Sequence, residues 1–327
     1  MQYRRLGKTG RDVSVIGFGA WAIGASWGTV DDADSLRALH AAADAGVTLI
    51  DTADVYGDGH SEKLIGQFLR ERHGERFFVA TKMGRSVPLE MAYYTPEAFR
   101  GWVDRSRDNL GVDRLDLIQL HCLHPNVYYS PEIFAALDDL VRDGSIASYG
   151  VSVERVEEAL KAIEFPGLAS VQIIYNILRQ RPADHFLAEA KRRDVGVLAR
   201  VPLASGLLTG KMTKATTFEA SDHRQFNRHG EAFDVGETFA GVDYETGLAF
   251  VEELRALVPA GATMAQFALR WILMNDGVTA AIPGAKSPDQ ARANAAAADL
   301  SPLPPATLEK IRAMYEKSIK PLVHQRW

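Results

Sequence analysis

Residues Leu49 to Gly66 read LIDTADVYGDGHSEKLIG. The run VTLID (47–51) is short and apolar, as expected of a strand buried on both faces. SEKLIGQFLRERHG, which follows, has the spacing of an amphipathic helix. Between them the chain places Asp51, Asp54, Tyr56, Asp58, His60 and Glu62, far more polar chemistry than a turn requires. A buried strand, a polar loop and a helix make one parallel βα unit.

The same alternation runs along the chain. Apolar runs recur at 13–20, 76–82, 115–121, 146–152, 169–176, 195–202 and 278–284, with segments of helical length between them. Thr95-Pro96-Glu97 and Ser130-Pro131-Glu132 each place a capping hydroxyl before a proline at the first helical position. Gly46, Gly111 and Gly144 stand where helices should stop. Eight such units in one chain predict an α/β fold, a (β/α)8 TIM barrel with an N-terminal β-hairpin and an extra C-terminal helix. The competing architecture is an open doubly wound sheet, which calls for a helix directly after a glycine fingerprint. Gly17-Phe18-Gly19 with Ala22 matches that fingerprint weakly, but the next helical pattern begins only near Asp31. Residues 1–327 are read as a single domain. Within it, 204–243 form a long loop covering cofactor and substrate, since a loop of that length in a compact domain is usually functional.

Composition narrows the function. A net charge of -5 and a pI near 6.0 carry no basic excess, so no nucleic-acid partner is expected. No run approaches the roughly 20 apolar residues of a membrane helix. Arg4, Arg5, Lys8 and Arg11 precede the run VSVIGFGAWAIGA, but its glycines fit a barrel strand better than a secretory leader. Cys122 is the only cysteine, which suits a reducing, cytoplasmic setting.

In a (β/α)8 barrel, chemistry gathers at the C-terminal ends of the strands. Asp51 closes the second run, with Tyr56 in its loop. Lys82 closes the third and His121 the fourth. Each alone reads equally well as a turn cap, a packing ring or an exit to solvent. Together, at consecutive strand ends, they suit proton donation to a carbonyl oxygen. A lysine cation favours phenolate and lowers a tyrosine pKa, an aspartate holds the lysine, and a histidine orients the substrate oxygen. No side chain supplies hydride, so a nicotinamide cofactor is implied. A metal-dependent hydrolase would need an early HxH motif, which is missing, and no metal is expected.

LIDTADVYGDGHSEKLIG, followed by ATKMG and LDLIQLH, resembles the aldo-keto reductase family, and the resemblance runs from YRRLGKTGRDVSVIGFGAWAIG to AIPGAKSPDQARAN. GLLTGK (206–211) resembles the bacterial branch of that family. The resemblance implies a (β/α)8 barrel and NADPH-dependent reduction of aldehydes or ketones. It also implies a tetrad of Asp51, Tyr56, Lys82 and His121, with Tyr56 as general acid. Ser61 and Glu62 are expected to cap the following helix. The alternative function is an NADPH-binding regulatory or redox-sensing subunit with little turnover.

For the cofactor, NADPH (NADP+) with NADH at lower affinity, the resemblance implies Ala20, Trp21, Asp51, Ser152 and Gln172 around the nicotinamide. The family often has Asn after that Ser; here it is Val153, and Asn176 or a water could replace its hydrogen bond. Arg200 is expected to face the cofactor, the alternative being a pairing with a barrel carboxylate. Pro202, Leu203, Gly206, Leu208 and Lys211 are expected along the pyrophosphate, and Gly284, Lys286, Gln290 and Asn294 at the adenosine end, where Lys286 favours the 2′-phosphate. Substrate contacts are expected from Trp21, Trp27, Tyr56 and His121, with Tyr93 and Tyr94 as further candidates. The partners expected are a small-molecule carbonyl or alcohol, in a monomer or weak homo-oligomer.

Overall fold

The computed structural model describes residues 1–24 and 31–327. An antiparallel hairpin opens the chain, β1 Tyr3–Arg5 against β2 Asp12–Ser14. The barrel strands follow: β3 Phe18–Gly19, β4 Leu49–Asp51, β5 Phe78–Met83, β6 Leu117–His121, β7 Tyr149–Ser152, β8 Leu168–Ile174, β9 Gly196–Arg200 and β10 Ala280–Ala281. All neighbours pair in parallel, in chain order from β3 to β10. Parallel bridges Ile16↔Ala281 and Gly19↔Gly284 join the two ends and close the barrel.

The helices between and beyond the strands are α1 Asp32–Asp44, α2 His60–Glu71, α3 Pro96–Leu110, α4 Pro131–Arg142, α5 Val156–Ala162, α6 Phe186–Arg192, α7 His223–Phe226, α8 Tyr244–Leu254, α9 Met264–Leu273, α10 Pro288–Ala295, α11 Pro305–Ser318 and α12 Lys320–Val323. Thr95 caps α3 as its sequence predicts, accepting from the Ala98 N–H at 3.2 Å. Ser130 precedes α4 but turns its hydroxyl back to the Asn126 carbonyl instead. Gly46, Gly111 and Gly144 each adopt positive φ past a helix end, as expected.

Two local expectations are corrected. The run 13–20 is not one strand: residues up to Ser14 belong to the hairpin, and the chain bends before Phe18 enters the barrel. Ser61 and Glu62 do not cap α2, whose N-cap is Gly59 in the left-handed region. Both are buried instead. Ser61 bonds Thr52, while Glu62 accepts from Thr81 at 2.6 Å and from Asn109 at 2.8 Å, tying α2 to β5 and α3.

The hairpin decides which end of the barrel is open. Leu6 and Val13 pack with Leu49, Phe78 and Leu117, the residues that begin or nearly begin their strands. A Cβ on Gly7 would collide with the backbone of Gly196 at the start of β9. The N-terminal end is thereby plugged, and polar strand-end residues can meet only at the other end. A second, larger apolar cluster fills the layer between strands and helices. Among the described residues, no helix is long and apolar enough to cross a membrane.

Candidate active site

Lys82 is the centre of the barrel mouth. Its ammonium is buried and donates to Asp51 Oδ1 at 2.6 Å and to the Thr52 carbonyl at 2.7 Å. The Tyr56 hydroxyl lies 3.5 Å away, long for a hydrogen bond but close for a charge. β4 and β5 are paired neighbours with Asp51 opposite Ala80, and Lys82, two residues further on the same face of β5, reaches back to the carboxylate. The other Asp51 oxygen accepts from Gln172 at 2.7 Å and from Gln119 at 3.4 Å. His121, at the end of β6, presents its ring edge-on to Tyr56 with centroids 5.9 Å apart. The four residues expected at strand ends therefore meet.

Burial sets their protonation. It pushes the Tyr56 hydroxyl above its ordinary pKa of 10.0, and the opposing pull of Lys82 does not overcome it. The sequence-based expectation of a lowered value is thus corrected: desolvation of the phenolate outweighs one cation. Tyr56 therefore keeps its proton at neutral pH. For Lys82, burial opposes the charge, but Asp51 and Tyr56 outweigh it, and the ammonium persists. Burial, then Arg85, Lys82 and Arg200, hold His121 well below its usual value, so its ring is neutral. Among the described residues, its buried Nδ1 has no partner.

The Tyr56 loop is held by close approach. A Cβ on Gly24 would fall 2.6 Å from the Tyr56 Cβ, and Gly57, at φ +63°, faces the Gly24 carbonyl. Trp21 stacks near Tyr56, with ring centroids 6.2 Å apart. Trp27 lies outside the described residues. Tyr93 is exposed and Tyr94 is buried in the core.

Residues expected around the cofactor separate into groups. Ser152 ends β7 and pairs with Gln172 inside the neighbouring buried strand β8, and Gln172 already donates to the Asp51 carboxylate. Asn176 is engaged with backbone, donating to the Val201 carbonyl at 2.8 Å and accepting from Leu178 N–H at 2.8 Å. Arg200 pairs with Glu237 at 3.3 Å and donates to the Val153 carbonyl at 3.1 Å, yet its Nε has no partner among the described residues. Pro202, Leu203, Gly206 and Leu208 follow β9 in a sharp turn, where Ala204, Ser205 and Gly206 all take positive φ. Lys211 is exposed beyond it. Ala20 directly follows β3, its carbonyl accepting from Ser61. At the far rim, Gln290 accepts from Lys286 N–H at 2.8 Å and Asn294 donates to the Gly284 carbonyl at 3.1 Å. Burial, then the neighbouring Arg224, lower the Lys286 pKa.

Buried polar atoms without partners, His121 Nδ1 and Arg200 Nε, stand at the mouth, and cationic Lys286 and Arg224 lie near each other at the rim. Cys122, Glu154 and Glu237 each bring a donor atom within 4.8 Å of the others. Arg200 and Arg85 already supply positive charge against that group.

Arg85, Glu237, Gln119 and Arg224 were not singled out by the sequence. Gln119 could have been, because strand alternation in LIQLH puts it on the same face as His121. Arg85 and Glu237 meet across 152 residues, with no local signal.

Residues 15–316 match the Aldo/keto reductase family. The chain belongs to that family. It is 33% identical over 300 residues to the aldo-keto reductase YhdN of Bacillus subtilis (strain 168), covering 90% of this chain and 87% of that one. It is 29% identical over 319 residues to an NADH-specific methylglyoxal reductase of Escherichia coli (strain K12), covering 90% and 93%. Among solved structures, a glycerol dehydrogenase from Gluconobacter oxydans superposes with a TM-score of 0.77 at 31% identity, covering 94% and 93% of the two chains. Family membership makes this aldo/keto reductase an oxidoreductase of carbonyl substrates.

Proposed function

We propose that the chain reduces aldehydes or ketones with NADPH, using Tyr56 as the general acid. The observation that carries this reading is a buried ammonium, Lys82, held between the Asp51 carboxylate at 2.6 Å and the Tyr56 hydroxyl at 3.5 Å. A nicotinamide held at this mouth would supply hydride for the carbonyl carbon. The chain's own residues handle the oxygen. Neutral His121 orients it, Tyr56 gives it a proton, and the phenolate left behind faces Lys82. Asp51 keeps that lysine in place, and Gln172 and Gln119 keep Asp51 in place.

Arg200 Nε and the neighbourhood of Ser152 would receive the nicotinamide end, and Lys286 with Arg224 the 2′-phosphate. NADPH is preferred on this reading, with NADH weaker. The relative named as an NADH-specific methylglyoxal reductase shows that the other cofactor is compatible with the fold.

The test is NADPH consumption followed by absorbance with 4-nitrobenzaldehyde. Tyr56→Phe should reduce turnover by at least about 100-fold while cofactor fluorescence still reports binding. A Tyr56→Phe protein as active as the parent would overturn the assignment.

A further inference from the structure

The mouth above Tyr56 carries an ion-pair cluster that the tetrad does not account for. Glu237, from the loop between β9 and α8, is buried, and one oxygen, Oε1, meets both Arg85 at 3.0 Å and Arg200 at 3.3 Å. The three residues border the reacting position. Arg200 touches Cys122, the residue after His121. Arg85 lies 5.7 Å from the Phe233 ring, Phe233 lies 6.0 Å from Trp21, and Trp21 stacks near Tyr56. The charges of Glu237 and Arg200 are felt at the Tyr56 hydroxyl, and those of Arg85 and Arg200 at His121.

Glu237 is presented by a turn that is itself fixed. Asp234 accepts from Gly236 N–H at 2.6 Å and from the Trp327 indole at 2.9 Å. Arg179 lies over the Trp327 ring at 3.7 Å and donates to the Ala240 carbonyl at 2.9 Å. Ser205 donates to the Glu237 carbonyl at 2.9 Å. The carboxylate is therefore already in place before any substrate arrives. With Glu154 close by, the cluster sets two carboxylates against two guanidiniums.

We propose that Glu237 is a specificity-determining residue. By occupying Arg85 and Arg200 it removes positive charge that would otherwise face the substrate, so the pocket takes uncharged carbonyl compounds and turns away those bearing a carboxylate or phosphate. This rests on the reading of the site as a carbonyl reductase. Without Glu237, a guanidinium at the mouth would attract an anionic substituent. One unit charge at about 8 Å in a medium of dielectric constant about 20 corresponds to roughly 30-fold in affinity.

The experiment compares 4-nitrobenzaldehyde with 4-formylbenzoate in the parent, Glu237→Gln, Arg85→Met and the double variant. The parent should favour the neutral aldehyde. Glu237→Gln should raise the anionic-to-neutral ratio of kcat/KM by roughly 30-fold, through a lower KM for the anion. Arg85→Met, which leaves Glu237 and Glu154 against Arg200 alone, should lower the ratio, and the double variant should sit near the parent. Equal effects on both substrates, or a ratio unmoved in Arg85→Met, would overturn the proposal, and the latter holds even if Glu237→Gln fails to fold. Binding of benzoate and benzamide, followed by tryptophan fluorescence with NADP+ present, reads the same selectivity without turnover. A parent that reduces neither aldehyde refutes the reductase reading, while the binding ratio still decides the role of Glu237.

Discussion

The ammonium of Lys82 stands 3.5 Å from the hydroxyl of Tyr56 and 5.1 Å from the centroid of its ring. The charge thus lies closer to the oxygen than to the centre of the ring. Because Lys82 is buried, its field is little screened. Lys82→Met should lower reductase turnover by at least about 100-fold. It should also cost about 3–5 kcal/mol of stability, since it leaves the buried Asp51 charge without its cation. Steady-state kinetics and denaturant melts check the two effects separately. Unchanged turnover in a folded variant would rule out Lys82 as the activator.

Gly24 serves the site through space, not chemistry. Its missing side chain is the gap into which the Tyr56 backbone and Cβ fit, at 2.6 Å from an added Cβ. Gly24→Ala should displace the Tyr56 loop and cost about 1–3 kcal/mol. The displacement should appear mainly in kcat, with cofactor affinity changed less. A variant with parental kcat would show that the loop tolerates the shift.

Asp54 gives the fold a pH dependence. Both its oxygens are buried without partners among the described residues. Burial, then repulsion from Glu62, raise its carboxyl from 3.8 to about 7. Between those values the folded chain keeps a proton that the unfolded chain has released. The contribution to stability is therefore full below about pH 4, declines as pH rises toward about 7, and declines no further above that. Asp54→Asn should abolish the decline, which is at most about 1.4 kcal/mol per pH unit. Thermal melts of both proteins from pH 4 to 8 are the check, and parallel curves would refute it.

Lys286 should set cofactor choice. Its main chain is fixed by Gln290, and the nearby Arg224 adds a second cation to the same rim. Lys286→Ala should raise KM for NADPH by about 10-fold, the value of one charge-assisted contact, and leave KM for NADH nearly unchanged. Equal weakening of both cofactors would place Lys286 away from the 2′-phosphate.

Much of this could be read from local pattern. LDLIQLH contains a strand because its apolar residues are closely spaced and too few for a helix, and β6 is buried throughout. Thr95-Pro96 starts a helix because a hydroxyl accepts an orphan N–H and proline is pre-set for the first turn. Ser130-Pro131 carries the same signal, yet its hydroxyl chose the Asn126 carbonyl, a competition between local acceptors that the dipeptide does not reveal. Asp51, Lys82 and His121 were visible as strand-end residues because parallel strands in chain order must bring their ends together.

Period, capping and strand order are interactions over a few residues, and the chain carried them openly: the alternation, the barrel and the meeting of Asp51, Tyr56, Lys82 and His121. Other properties awaited the packed molecule. The pKa of Tyr56 rises because desolvation, a property of everything around it, outweighs one nearby cation. Arg200 faces Glu237, and Trp327 braces the turn that carries it, because the chain after β9 folds back against residues distant in sequence. Such contacts join residues far apart in the chain, and charge balance in a buried site depends on which partners arrive there.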